Sequence, residues 1–140
     1  MAVSHQQFID KWNNRYLEFP GTGSALYQCL DLARYYIQEV WGLNPYVIPR
    51  AVNAKSAYNA ARTNNKIVKI ANTPTGVPRQ GDLIFWGFYP SITGLHGHVG
   101  VFHKGDVMNI ISFEQNYPKY TPCHLQRHSY RGVMGWIRKA

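Results

Sequence analysis

The sequence predicts an α+β fold in which N-terminal helices pack on a twisted antiparallel sheet of about five or six strands. Three observations predict it. Helical periodicity is confined to residues 1–62. From residue 66 onward the chain breaks into short runs of β-branched and aromatic residues, punctuated by Gly, Pro and Asn. The connections between those runs are mostly too short for the crossover helices that a parallel sheet needs.

The first helix starts at Ser4, which with Gln7 three residues later makes a capping-box pattern; Phe8, Ile9, Trp12 and Tyr16 follow at helical spacing. "FPGTGS" (19–24) breaks the chain. A second helix is expected within "YQCLDLARYYIQEVW" (27–41), starting near Cys29, with Leu30, Ala33, Ile37 and Val40 as its apolar stripe and Gly42 as its end. "NPYVIPR" reads as loop, and a short third helix over 53–62 takes Asn53 as its cap. Strands are expected at 66–70, 82–87, 98–103, 107–114 and 133–139, with "KGD" (104–106) as a hairpin turn between the third and fourth.

Composition narrows the function classes. A chain of 140 residues suits one domain, no apolar run approaches a membrane span, and "MAVSHQQFIDKW" has no apolar core of a secretory signal. Two cysteines in unlike contexts make neither a disulfide framework nor a C-x-x-C metal site. Fifteen Lys and Arg against seven acids give a net charge of +8, which favours polyanionic partners. The cations are scattered apart from Arg127, Arg131, Arg138 and Lys139, with no basic stripe interleaved with aromatics, so nucleic acid is not expected.

One cysteine sits where chemistry is plausible. Cys29 falls at a helix start, where unpaired N–H groups favour a thiolate; Cys123, in "YTPCHL", has no such helix. A lone cysteine there is still more often core filler than nucleophile. A nucleophile also needs a base, and six histidines are available. His5, His124 and His128 lie near termini or loops and read as surface residues, whereas His96, His98 and His103 surround one strand. Any one of them is more often a satisfied or solvated ring than a catalyst. His98 opens its strand directly after Gly97, where backbones approach closely. Counting back through the "KGD" turn puts its partner near residue 112, with Glu114 within a residue or two of facing it and Asn116 just beyond. A carboxylate there could fix the imidazole tautomer, and Asn116 could donate an amide hydrogen bond.

The ordered pieces "QCLDLA", "PRQGDLIFW", "GHVGVF" and "FEQNYP" resemble the CHAP family, the cysteine, histidine-dependent amidohydrolases/peptidases, in particular those of bacteriophage endolysins. The resemblance spans residues 5–138. It implies a papain-like fold, a single CHAP catalytic domain over 1–140, and hydrolysis of a peptidoglycan amide bond as endopeptidase or N-acetylmuramoyl-L-alanine amidase. Cys29 would be the nucleophile, His98 the general base and Glu114 its orienting acid; Asn116 would complete the polar quartet. Gln28 would pack the site or help hold the oxyanion. The expected partners are peptidoglycan and anionic wall polymers, with no nucleic acid and no membrane. The protein would be made in an infected bacterium's cytoplasm and act at the wall, as a monomer or as one domain of a larger lysin.

Some members bind calcium through Asp residues ahead of the cysteine. Here "FPGTGSALYQ" places no carboxylate between Glu18 and Asp31, and calcium wants six to eight oxygens, so neither metal nor cofactor is expected. Asp31 is read instead as a helix N-terminal charge. Two rival classes stand beside this reading. One is a zinc wall peptidase using "HGH" (96–98), which lacks a partner H-x-x-x-D or H-E-x-x-H. The other is a wall-binding module without chemistry.

Overall fold

The computed structural model describes residues 2–20, 28–87 and 96–140. Its helices are α1 (His5–Trp12), α2 (Cys29–Tyr36) and α3 (Ala54–Ala60). Its strands are β1 (Ile67–Ala71), β2 (Leu83–Trp86), β3 (His98–Gly105), β4 (Ile110–Glu114), β5 (His124–His128) and β6 (Val133–Lys139). They form one antiparallel sheet in the order β1-β6-β2-β3-β4-β5. The class is the α+β arrangement expected.

The helix caps follow the sequence closely. Ser4 Oγ accepts from the Gln7 N–H at 3.1 Å while Gln7 Oε1 accepts from the Ser4 N–H at 2.8 Å. Asn53 Oδ1 accepts from the Ser56 N–H at 2.8 Å. Helix ends differ. α1 stops at Trp12, and Asn14 adopts a left-handed φ of 66°, so Tyr16 is exposed beyond the helix and Leu17 and Phe19 enter the core instead. α3 ends at Ala60, two residues short of Arg62. After Tyr36 the chain widens into a π-helical turn, Ile37–Trp41, before Gly42 ends it. Leu32, Ala33, Tyr36 and Ile37 are buried, whereas Leu30 and Val40 of the expected stripe are only half-buried.

The β3–β4 hairpin also departs from expectation. Its turn is 106–109: Asp106 Oδ1 accepts from the N–H groups of Met108 and Asn109 at 2.8 and 2.9 Å, and β4 begins at Ile110 instead of 107. A bulge between Phe102 and Lys104 shifts the register, so Ser112 pairs with Phe102 rather than lying near His98. Continuing that register sets Glu114 across from Gly100, diagonal to His98. β5 was not foreseen. Its sequence, "HLQRH", has no β-branched or aromatic residue, as suits an edge strand with one face in water.

Both faces of the sheet are covered. Val99, Val101, Phe113, Leu83 and Phe85 pack with Phe8, Leu32 and Tyr36 on the helical side. Ile84, Trp86, Phe102, Ile110 and Trp136 form a second cluster. Strand alternation puts His98 and Gly100 on the face of Phe102, opposite Val99 and Val101.

Candidate active site

His98 is the first residue of β3, and the backbone there is crowded. Gly97 holds a φ of 71°, and a Cβ on it would collide with the Trp86 carbonyl oxygen. The His98 ring is buried against Trp86, ring centroids 5.3 Å apart, and Tyr117, 5.6 Å. Its Nε2 meets Glu114 Oε2 at 2.9 Å. The Cys29 thiol lies close enough to the ring to help raise its pKa. Cys29 is the first residue of α2, which packs across β3. The fold therefore brings Cys29, His98 and Glu114 together in a chain.

Glu114 is fully buried and held from three sides: by His98, by His128 Nε2 at 2.6 Å to Oε1, and by the Ser112 hydroxyl, which donates to Oε2 at 2.7 Å. Gly100 opposite makes the room. A Cβ there would lie 2.9 Å from Glu114 Oε2 and 2.9 Å from Ser112 Oγ. Burial disfavours both charges, but mutual attraction outweighs it. For His98, desolvation is opposed by the Glu114 charge and by hydrogen bonds to Cys29 and Glu114, which together push the ring up to about 10. For Glu114, desolvation is overcome by the charge of His98 and by the bonds from His128 and His98, leaving the carboxyl at about 2. His98 and Glu114 form a buried ion pair, with the Cys29 thiol beside the ring.

The cysteine end is fixed by backbone capping and by one buried amide. The Gln28 N–H donates to Asp31 Oδ2 at 2.8 Å, and the Asp31 N–H returns a bond to the Gln28 carbonyl at 3.1 Å. Asp31 thus serves as the helix N-terminal carboxylate anticipated for it. Gln115 Nε2 donates to the carbonyls of Gln28 and Leu17, both at 2.9 Å, while its Oε1 accepts from the Leu17 N–H at 2.6 Å.

Of the two other candidates, Asn116 shapes a loop and Gln28 lines the cleft of Cys29. Asn116 adopts a φ of 69°; its Oδ1 accepts from the Tyr120 N–H at 2.7 Å and its N–H donates to the Thr121 carbonyl, so it shapes the 116–121 loop. The Gln28 side chain lines a cleft of about 450 Å³ that also holds Cys29. His128, read as a surface residue, is buried on Glu114. Cys123 is buried, and desolvation pushes its thiol up to about 12. The sequence reading missed His128, Ser112 and Gln115; the period-two spacing of His124, Gln126 and His128 was the available signal for the first.

Among the described residues, His98, Glu114 and His128 are grouped closely enough to hold a metal ion, with ligand atoms within 4.8 Å of one another. Both ring nitrogens that would ligate already meet the carboxylate at 2.9 and 2.6 Å, the lengths of hydrogen bonds. His96 does not join them; it is exposed and meets Asn53 Nδ2 at 3.3 Å. The H-x-H pair therefore does not converge on one point. The loop judged unsuited to calcium lies mostly outside the described residues. No described helix is long and apolar enough to cross a membrane.

Comparison with known proteins adds three findings. The family model for the CHAP domain matches residues 19–116. The fold is similar to that of the wild-type endolysin LysIME-EF1, with a TM-score of 0.72 at 20% identity over 97% of this chain and 64% of that one. It is also similar to Ly7917, with a TM-score of 0.62 at 15% identity over 98% and 62% of the two chains. A second Ly7917 structure, "with the hydrolyzing product of MDP", gives 0.66 at 13% identity over 97% and 63%. The chain thus spans under two thirds of the length of these neighbours. No curated protein matches the sequence.

Proposed function

Since the chain belongs to the CHAP domain family, we propose that it is a peptidoglycan hydrolase that cuts an amide bond of the bacterial wall with Cys29 as nucleophile. The observation carrying this reading is the buried His98 ring, bonded to Glu114 at 2.9 Å and close enough to Cys29 for the thiol to help raise its pKa. In this reading the Cys29 proton passes to His98 before attack, a transfer that the ring's proton affinity, raised to about 10, favours. The Cys29 thiolate adds to the carbonyl carbon, and the oxyanion takes up the Cys29 backbone N–H with Gln28 beside it. Collapse breaks the C–N bond as His98 hands its proton to the leaving amine. Water, deprotonated by the now neutral His98, then releases the acid from the thioester and restores the thiolate beside a protonated ring. Glu114 holds the ring in the required tautomer throughout. Asn116 acts through the loop that it closes.

Residues 1–140 work as one catalytic domain in this reading, acting at the wall after synthesis in an infected cell. The charge of +8 concentrates the protein on anionic wall polymers, an attraction that salt screens. The test uses purified walls. Cys29→Ala and His98→Ala abolish amine release, whereas Cys123→Ala, whose thiol is buried, retains it. Wild-type clearing by Cys29→Ala would refute the thiol mechanism. Mass spectrometry of the released fragments separates endopeptidase from amidase cleavage.

A further inference from the structure

The loop that follows β4 carries a feature that the hydrolytic machinery does not use. Tyr120 holds a φ of 72°, in the left-handed region that a bulky side chain avoids. Its backbone is clasped on both sides. Asn116 Oδ1 accepts from its N–H at 2.7 Å, and the hydroxyl of Tyr16, 104 residues away in the chain, donates to its carbonyl at 2.9 Å. Thr121 tightens the same loop, its N–H donating to the Pro118 carbonyl at 3.1 Å. The conformation fixed in this way turns the ring out to water: Tyr120 is 76% exposed, and Tyr16 beside it 49%. Lys119 Nζ lies 5.0 Å from the Tyr120 ring centroid, which accounts for one face of the ring and leaves the other open. Strain of this kind persists only where the surroundings over-determine it, and it collects at sites that bind.

We infer that Tyr120 is a stacking platform for a sugar ring of the wall's glycan strand, with Tyr16 holding it in place. The inference rests on the wall-hydrolase reading above and deepens it by making the glycan, and not the peptide alone, a recognised part of the substrate. Position supports it. Tyr117 has its ring centroid 5.6 Å from that of His98, and the three residues from Tyr117 to Tyr120 span about 11 Å of chain at most. One substrate molecule can therefore touch both. Neither Tyr16 nor Tyr120 lines the cleft beside Cys29, so platform and cleft grip different parts of that molecule. Shape and charge choose the occupant. An open aromatic face suits the flat C–H face of an uncharged pyranose, whose hydroxyls stay in water, whereas an apolar peptide side chain needs a socket around it. A tyrosine already held rigid loses little freedom when the sugar settles on it.

The probe is chitotetraose, an uncharged oligomer of N-acetylglucosamine that carries no peptide, titrated into the protein and followed by NMR. The wild type binds it saturably, with shifts centred on Tyr120 and Tyr16. Tyr120→Gly accepts the left-handed backbone and removes the ring, so it keeps its melting temperature and binds about tenfold more weakly. Tyr120→Asn, which also tolerates that backbone, behaves likewise, and Tyr120→Phe retains most of the binding. On purified walls Tyr120→Gly raises KM about tenfold with kcat within about twofold. Absence of binding by the wild type would overturn the inference, as would equal binding by folded Tyr120→Gly or Tyr120→Asn. Tyrosine beside lysine also suits a membrane interface. Tyr120-dependent attachment to anionic phospholipid vesicles that chitotetraose does not displace would therefore overturn it too. The two readings fail separately. Tyr120-dependent binding of the oligosaccharide by a protein that cuts nothing would uphold the platform and sink the hydrolase. Cutting with a KM indifferent to Tyr120 would do the reverse.

Discussion

Replacing Glu114 by Gln keeps the shape of the side chain and removes the charge on which the network depends. The structure sets the scale. His98 is raised from 6.5 to about 10, and Glu114 is lowered from 4.5 to about 2. These gaps correspond to about 5 and about 3 kcal/mol. They view one attraction from its two ends, and they differ because Cys29 also raises His98. Both figures are net of the burial that opposes each charge, and His128 also holds Glu114 down, so about 3 kcal/mol serves only as the scale for the pair. Geometry points the same way. The carboxylate accepts from three donors, whereas an amide offers one oxygen and presents an N–H pair to the others. If the whole term is used in the transition state, kcat falls by up to about a hundredfold. The pH profile separates this from a general loss of structure. A raised pKa means that the imidazolium is favoured below 6.5 and lost as pH rises through about 10. Wild-type amine release therefore holds through neutral pH and declines on an alkaline limb near 10. In Glu114→Gln that limb moves to lower pH, and the His98 ring titration followed by NMR moves with it. A variant that keeps its alkaline limb and stays within twofold of the wild-type rate would refute the argument.

Three further outcomes follow from neighbouring contacts. His128→Gln weakens the 2.6 Å bond to Glu114, so activity drops about tenfold and the alkaline limb shifts partway toward that of Glu114→Gln; a purely structural role would lower the melting temperature and leave the limb in place. Gly100→Ala forces a methyl to within 2.9 Å of the carboxylate, costing about 1–3 kcal/mol in urea unfolding and displacing Glu114, so that activity falls as well; an unchanged midpoint would contradict the packing. His5 bonds Tyr36 and His103, and burial, then the charge of His103, lowers it to about 4. Because the unfolded chain binds the extra proton, stability from this cluster is complete above 6.5 and disappears as pH falls through about 4. The melting temperature of the wild type therefore declines across that window more steeply than that of His5→Phe.

Local rules carried much of the fold, and the site where it depends on them. Ser4 and Asn53 announce helix starts because a cap is a three-residue affair. Cys29, His98 and Glu114 were approachable because a helix start and one hairpin account for their positions. The hairpin was still mis-registered. Asp106 builds the turn later than "KGD" suggested, and the bulge after Phe102 cancels part of the error, so Glu114 stays within diagonal reach of His98. His128 was out of reach of such reasoning: its burial exists only once β5 pairs with β4, and "HLQRH" gives little local sign of a strand. Gln115 hid for a different reason. Its partners, Leu17 and Gln28, are 98 and 87 residues distant, and nothing in the spacing links them.

Glu114 and Gln115 are neighbours in the chain but serve opposite sides of the sheet, one gripping the imidazole and the other the peptide unit ahead of the sulfur. Adding or deleting one residue between Ile110 and Phe113 would turn both side chains over together, exchanging their faces in a single event. Point changes around Glu114 lower activity by degrees, but a slip of one codon triplet in β4 should silence it outright. Length variation in relatives that remain active should therefore gather in the 106–109 turn or beyond residue 116, and spare the strand between.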